Sequence, residues 1–137
     1  MSPVMPHAGE MAAMLGRDRV EIKADPQAAA LEAAARFKAV VAMEGSKTYI
    51  AAPDRRVGLN RCGNIGLATS GSEGTLAGII AGLAARGADP VQAAVWGVYL
   101  HARAGDVLAK RVGPLGFLAR ELLAEIPALM CGLDKEK

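Results

Sequence analysis
Hydrophobic spacing divides the chain into a helical first third, an extended middle and a helical remainder. MSPVMPHAGEMAAMLG reads as a short extended piece that enters a helix near Glu10 and leaves it at Gly16. ADPQAAALEAAARFKA is a second helix, with Asp25 as N-cap and Pro26 at the first helical position, where a missing N–H costs nothing. AVVAM, residues 39–43, is a short apolar run of strand type. KTYIAA and RRVGLN, separated by Pro53 and Asp54, read as a hairpin.

Beyond the middle the period becomes helical and stays so. Residues 74–86 carry Leu76, Ile79, Ile80 and Leu83 together with Gly78 and Gly82, a composition that predicts close packing and burial on most sides. Asp89 and Pro90 repeat the Asp-Pro start, Gln92 can complete a capping box, and the helix stops before Pro114. FLARELLAEIPALM sets Leu118, Leu122, Ile126 and Leu129 on one stripe that must cover another element. The predicted class is α/β: a few central strands including a hairpin, packed by helices, with three helices at the C-terminal end. A single domain spans residues 1–132 and a charged tail follows at 133–137; no internal repeat is visible.

Composition narrows the function classes. With 52% apolar and 22% charged residues in 137, the chain has the makings of a folded core. Alanine dominates the apolar count, so helices must pack over small side chains. Sixteen basic against 14 acidic residues leave a net charge of +2 and no basic run, which argues against a nucleic-acid partner. Apolar stretches are broken by Gly, Arg or Glu before the roughly 20 residues of a membrane span, and the N-terminus lacks a leader pattern, so a cytoplasmic protein is expected. Cys62 and Cys131 lie far apart with no C-x-x-C and no histidine at ligand spacing. Two reduced thiols and no metal are the expectation.

The chemistry concentrates in TSGSEGTLAGIIAGLAARG, residues 69–87, a glycine-rich turn that runs directly into a helix. Such a turn aims free N–H groups at an anion. Glu73 stands where the anion would sit. Two readings follow: the carboxylate satisfies the helix dipole internally, or the turn is a nucleotide or phosphate cradle.

PHAGEMAAMLG, AVVAMEGSKTYIAAPDRRVGLN, GNIGLATSGSEGTLAGIIAGLAARG and AAVWGVYLHARAGD resemble, in order and spacing, the ADP-dependent NAD(P)H-hydrate dehydratases of the ribokinase-like superfamily. Members of that family remove water from hydrated NADH or NADPH with ATP or ADP. The likeness runs from Pro6 to about Met130 and covers only the C-terminal half of the family's domain. It therefore implies a partial ribokinase-like fold.

The same resemblance assigns the site residues. Gly45, Lys47, Thr48, Gly71 and Ser72 match positions that contact ADP or ATP, with Mg2+ accompanying the nucleotide if it binds, while His7 and Asn64 match positions on the hydrated-cofactor side. The family's G-[ST]-G-D, whose Asp is the acid/base candidate, reads Gly71-Ser72-Glu73-Gly74 here. Gly74 cannot transfer a proton. Glu73, one residue earlier, is the candidate for a displaced catalytic acid. Elsewhere K-G-x-G-T reads Glu44-Gly45-Ser46-Lys47-Thr48, so a carboxylate replaces the lysine near the phosphates unless Lys47 compensates. H-P-G-E reads His7-Ala8-Gly9-Glu10, and G-N-P-G reads Gly63-Asn64-Ile65-Gly66. Departures gather at site positions while the scaffold blocks remain, the pattern of a scaffold whose chemistry has been released. His101, beside Tyr99 and Trp96, and Asp106 read as structural. A half-fold leaves a sheet edge open, so a homo-oligomer, foremost a dimer, is expected, or a separate chain that supplies the missing half; neither a nucleic acid nor a membrane is an expected partner.

Overall fold
The structure, a computed structural model, describes residues 3–68 and 71–135; Thr69 and Ser70 of the glycine-rich stretch and the last two residues of the charged tail lie outside the described residues. Among the described residues six helices and three strands follow one another as α1 (Ala8–Leu15), α2 (Arg19–Ala24), α3 (Pro26–Phe37), β1 (Val41–Met43), β2 (Thr48–Ala51), β3 (Val57–Asn60), a 3-10 turn (Ile65–Ala68), α4 (Ser72–Ala85), α5 (Pro90–Val112) and α6 (Ala119–Lys135). Local chemistry sets most of these limits. Asp25 Oδ1 accepts from Ala28 N at 3.1 Å, and Asp89 and Gln92 form a reciprocal capping box on α5. Gly16 closes α1 in the left-handed conformation, φ 65°. Hydrophobic spacing predicts no helix at 19–24; the start of α2 is set by Asp18, which caps Val20 N at 3.2 Å.

The sheet order is β1-β2-β3, with Met43 opposite Tyr49 and Thr48 opposite Asn60, and both pairings are antiparallel. A ribokinase-like sheet is expected to be mostly parallel, yet parallel pairing here is confined, among the described residues, to the bridge between Val4 and Val41. The connections at 44–47 and 52–56 are too short for a crossover, which needs a dozen residues or more.

Alternation along the strands feeds two cores. Val41, Met43 and Ala51 pack with Met11, Leu15, Ile22 and the alanines of α3 on one face, and Val40, Ala42 and Ile50 pack with Leu76, Ile80, Ala93, Ala94 and Val98 on the other. With both faces covered, β1 reads as an unbroken apolar run. Small residues permit the close approach. A Cβ on Gly97 would collide with Ile80, so α4 can lie against α5 only because position 97 has no side chain.

Two helix expectations need correction. In α4 only Ser72, Leu76, Ile79 and Ile80 are buried, and Glu73, Gly74, Gly78, Ala81 and Gly82 face solvent. One face is covered rather than most sides, since glycine and alanine bring little area to bury. Helix α6 covers α5 through Leu122, with Ile126 and Leu129 against Leu108 and Phe117, but Leu118 precedes the helix and is 46% exposed. The helix also continues through Asp134 and Lys135, into the charged tail. Among the described residues no helix is long and apolar enough to cross a membrane.

Candidate functional site
Backbone pairing at the N-terminus builds the first wall. Val4 N donates to Val40 O at 2.9 Å, Ala42 N to Val4 O at 2.8 Å and Glu44 N to Pro6 O at 3.2 Å, so residues 4–6 run beside β1 and deliver His7 to its carboxyl end. The hairpin brings Thr48 and Asn60 to the same end. Helix α4 then points its N-terminus there, and a cleft of about 790 Å³ lies between these elements. Open α/β sheets place ligands at this kind of position.

Of the residues named from sequence, His7, Gly45, Thr48, Asn64, Gly71, Ser72 and Glu73 line the cleft, together with Glu44. Lys47 is exposed on the bend after Gly45 and is not among the lining residues, so its ammonium does not offset Glu44 inside the cleft. Gly74 is also outside the lining, and a Cβ there would meet nothing within 4 Å. The two carboxylates Glu44 and Glu73 therefore line one space, and Gly74, which the resemblance matches to the family's aspartate, contributes no group to it.

Their electrostatics follow. Burial at the end of β1 pushes the Glu44 carboxyl up to about 7, and the Glu73 carboxylate and then Glu10 push in the same direction. At neutral pH the cleft holds a carboxyl close to half-protonated. Below the ordinary value of 4.5 it is neutral in folded and unfolded chains alike and costs nothing. Between 4.5 and about 7 the folded chain keeps a proton the unfolded chain has released, so stability falls as pH rises; above about 7 the whole cost is present. Glu44 is only half-buried, so solvent screening leaves about 1–2 kcal/mol. Glu44→Gln should thus raise the melting temperature by about 2–6 °C at pH 8 and leave it unchanged near pH 4, as read by thermal unfolding at the two pH values. An equal gain at both would mean that Glu44 is not strained by charge.

The nitrogen-rich side of the cleft is fixed from behind. The N-cap of helix α4 is Gly71, with φ 87°, a conformation that favours glycine, and among the described residues no side chain caps its first turn. Ser72 Oγ lies 2.9 Å from His101 Nε2, both residues buried. Burial holds the His101 imidazole below the usual histidine range, and the Ser72 backbone offsets this in part. Asp106 accepts from Gly63 N at 3.2 Å and from Asn64 Nδ2 at 3.1 Å, while Asn64 Oδ1 accepts from Gly66 N at 2.9 Å. Gly66 itself must be glycine, because a Cβ would strike Pro114 O and the Phe117 ring. His101 and Asp106 thus have the structural roles read from sequence, yet His101 also lines the cleft. His7 caps α1, its Nδ1 accepting from Glu10 N at 3.3 Å and its own N–H donating to Glu10 Oε1.

Sequence reasoning missed Asn60, Cys62, Leu67, Val98 and Ala102 in the lining. Val98, His101 and Ala102 stand at helical spacing on one face of α5, a signal that carries weight only once that face is known to meet the strand ends. No group of three or more His, Cys, Asp or Glu among the described residues is placed to hold a metal ion.

The sequence profile described as NAD(P)H-hydrate dehydratase matches residues 4–128. The chain is similar to the ADP-dependent (S)-NAD(P)H-hydrate dehydratase of Xanthomonas campestris, 50% identical over 130 residues that make up 95% of this chain and 45% of that protein. It is similar also to the enzyme of that description from Neisseria meningitidis, 42% identical over 118 residues, 85% of this chain and 40% of the other. The crystal structure of the ADP/ATP-dependent NAD(P)H-hydrate dehydratase from Bacillus subtilis, co-crystallized with ATP/Mg2+ and soaked with CoA, superposes with a TM-score of 0.88 at 33% identity, covering 93% of this chain and 47% of that one. The chain spans a little under half the length of these relatives. The matched profile covers nearly all of the cleft-forming residues described above, and on it the chain belongs to the NAD(P)H-hydrate dehydratase family.

Proposed function
We propose that this half-length family member is a catalytically inactive, cytoplasmic scaffold that retains at most weak adenine-nucleotide binding. One observation carries the reading: Glu44 and Glu73 share the cleft, at positions that the sequence resemblance assigns to the neighbourhood of the nucleotide phosphates. What survives for a nucleotide is backbone and hydroxyl chemistry. Gly71 and Ser72 at the start of α4 favour an anion, and Gly45 and Thr48 also line the cleft. Mg2+ would enter only with the nucleotide's own phosphates as ligands. Wild-type protein titrated with ADP in a calorimeter should give a Kd of about 1 mM or weaker, above about −4 kcal/mol. A Kd in the low micromolar range would overturn the reading.

Glu73 and His7 both line the cleft, and this favours a second reading, in which the carboxylate acts as a displaced acid in a lyase assembled across subunits. In either case the outer edge of β3 carries Val57 and Leu59, each 40% exposed, and pairing along it is the natural remedy. We infer a homo-oligomer, foremost a dimer, or a complex with a separate chain that completes the fold. Light scattering on the pure chain should give a multiple of 14.1 kDa; a stable monomer at all concentrations excludes self-association.

A further inference from the structure
The outer edge of β3 has a defined hydrogen-bonding polarity. Ala52 N donates to Arg56 O at 2.9 Å, and antiparallel alternation from that pair makes Gly58 and Asn60 the hydrogen-bonded partners of Ile50 and Thr48. The N–H and C=O groups of Val57 and Leu59 therefore turn away from β2. Since β3 ends the sheet, they meet no backbone partner among the described residues. Helix α5 lies over the same strand: Val95 Cγ2 is 3.5 Å from the place a Cβ on Gly58 would take, and Tyr99 stands one turn further along that flank. Trp96, 46% exposed, meets Tyr99 edge-on with ring centroids 6.0 Å apart. Arginines bracket the edge. Arg56 is held by Asp54 at 2.7 Å, whereas Arg55 and Arg61, both exposed, pair with no carboxylate among the described residues.

Those arginines decide what can pair here. For a second copy, the antiparallel register that engages both apolar residues sets Val57 opposite the partner's Leu59 and brings Arg55 beside the partner's Arg61. Like charges placed opposite each other oppose pairing. We propose that the open edge of β3 takes an extended segment of a different chain, added antiparallel as a further strand, with apolar residues opposite Val57 and Leu59 and carboxylates beside Arg61 and Arg55. Main-chain hydrogen bonds to Val57 and Leu59 supply the pairing, and the two free guanidinium groups select the acidic ends. The exposed aromatic pair on α5 offers apolar surface next to the added strand. The proposal rests on the reading above that this edge is paired and chooses the partner; it places any contact between copies on another face.

Two end-blocked heptapeptides test this on the full chain. One is Glu-Thr-Val-Thr-Val-Thr-Glu, whose valines fall opposite Leu59 and Val57 and whose ends fall beside Arg61 and Arg55; the other carries lysine at both ends. Binding is read by the fluorescence of Trp96, the sole tryptophan, and by the amide shifts of Val57 and Leu59. The acidic peptide should bind at least about fivefold more tightly than the basic one at low salt, the sum of two exposed ion pairs, and lose that preference at high salt. Arg55→Glu combined with Arg61→Glu changes exposed side chains only and should reverse the order. Leu59→Pro removes an N–H that faces away from β2 and should abolish binding of the acidic peptide; where that variant does not fold, the reversal in the arginine variant decides. No binding of either peptide at millimolar concentration overturns the proposal, as does equal affinity for the two or an order that the arginine variant leaves unchanged. Light scattering separates this from the reading it rests on. A wild-type dimer that Leu59→Pro, still folded, returns to monomer gives the edge to a second copy and overturns the proposal while the dimer stands. A dimer that persists in Leu59→Pro, with the acidic peptide bound by wild type, supports both.

Discussion
Mixed with hydrated NADH and ADP or ATP, the purified chain should restore no nicotinamide absorbance beyond the uncatalysed rate, while a full-length family enzyme run beside it does. Proton transfer by a positioned group contributes about 10²- to 10⁴-fold, so losing that group alone should bring turnover below about a hundredth of the control. On the sequence resemblance the family's aspartate position falls at Gly74, which has no side chain and does not line the cleft. Glu73 does line it, but a shift of one residue at a helix start rotates a side chain by about 100°, and its carboxylate interacts there with the Glu44 carboxyl. The cleft is further bounded by less than half of the length the relatives use. Turnover comparable to the control would mean that Glu73 serves as the acid and that a second copy or another chain completes the pocket.

Much of this architecture is legible in the residues because local chemistry writes it. Asp25-Pro26 and Asp89-Pro90 announce helices whose caps form as read, and the apolar runs on either side of Pro53-Asp54 pair as a hairpin. What the sequence hides is anything decided by a distant partner. The burial of α4 is an example: Leu76, Ile79 and Ile80 are apolar wherever they lie, but how far round the helix burial extends depends on what stands opposite Gly74, Gly78 and Gly82. Helix α2 is hidden for another reason. Its six residues carry one buried apolar side chain, Ile22, too few to show a period.

The site divides along the same line. Positions tied to local motifs, Gly45, Thr48, Gly71 and Ser72, reach the cleft, as do His7 and Asn64. Lys47 does not: it is exposed on the bend at 45–47, and which residues of that bend reach the cleft is decided only once β1 and β2 are paired. The raised pKa of Glu44 is the feature least accessible from sequence. It needs burial at the end of β1 and a carboxylate 29 positions further along the chain. The long-range pairs Ser72–His101 and Asn64–Asp106 likewise exist only once α5 is laid across the strand ends.

Replacing Glu73→Gly together with Glu44→Lys should tighten ADP binding at least about tenfold, or 1.4 kcal/mol. Two unit charges about 4 Å apart repel by about 4 kcal/mol at an effective dielectric near 20, and the half-buried, half-protonated Glu44 feels less than that. The two changes also act differently. Glu73→Gly removes a charge and lets the backbone at the start of α4 approach a phosphate, while Glu44→Lys reverses the sign at a position that already faces the cleft. A glycine in the first turn weakens the helix by up to about 1 kcal/mol, so melting curves must show that the variant is folded before its affinity is read. Adding Gly74→Asp is sterically free, since its Cβ meets nothing within 4 Å. The triple variant should still fail to dehydrate hydrated NADH, because an acid without the rest of the pocket has no substrate to protonate. Calorimetry with ADP on wild type, the double variant and the triple variant separates these effects. Equal ADP affinity in wild type and double variant would mean that the two carboxylates do not oppose phosphate, and that nucleotide binding depends on chain outside these 137 residues instead.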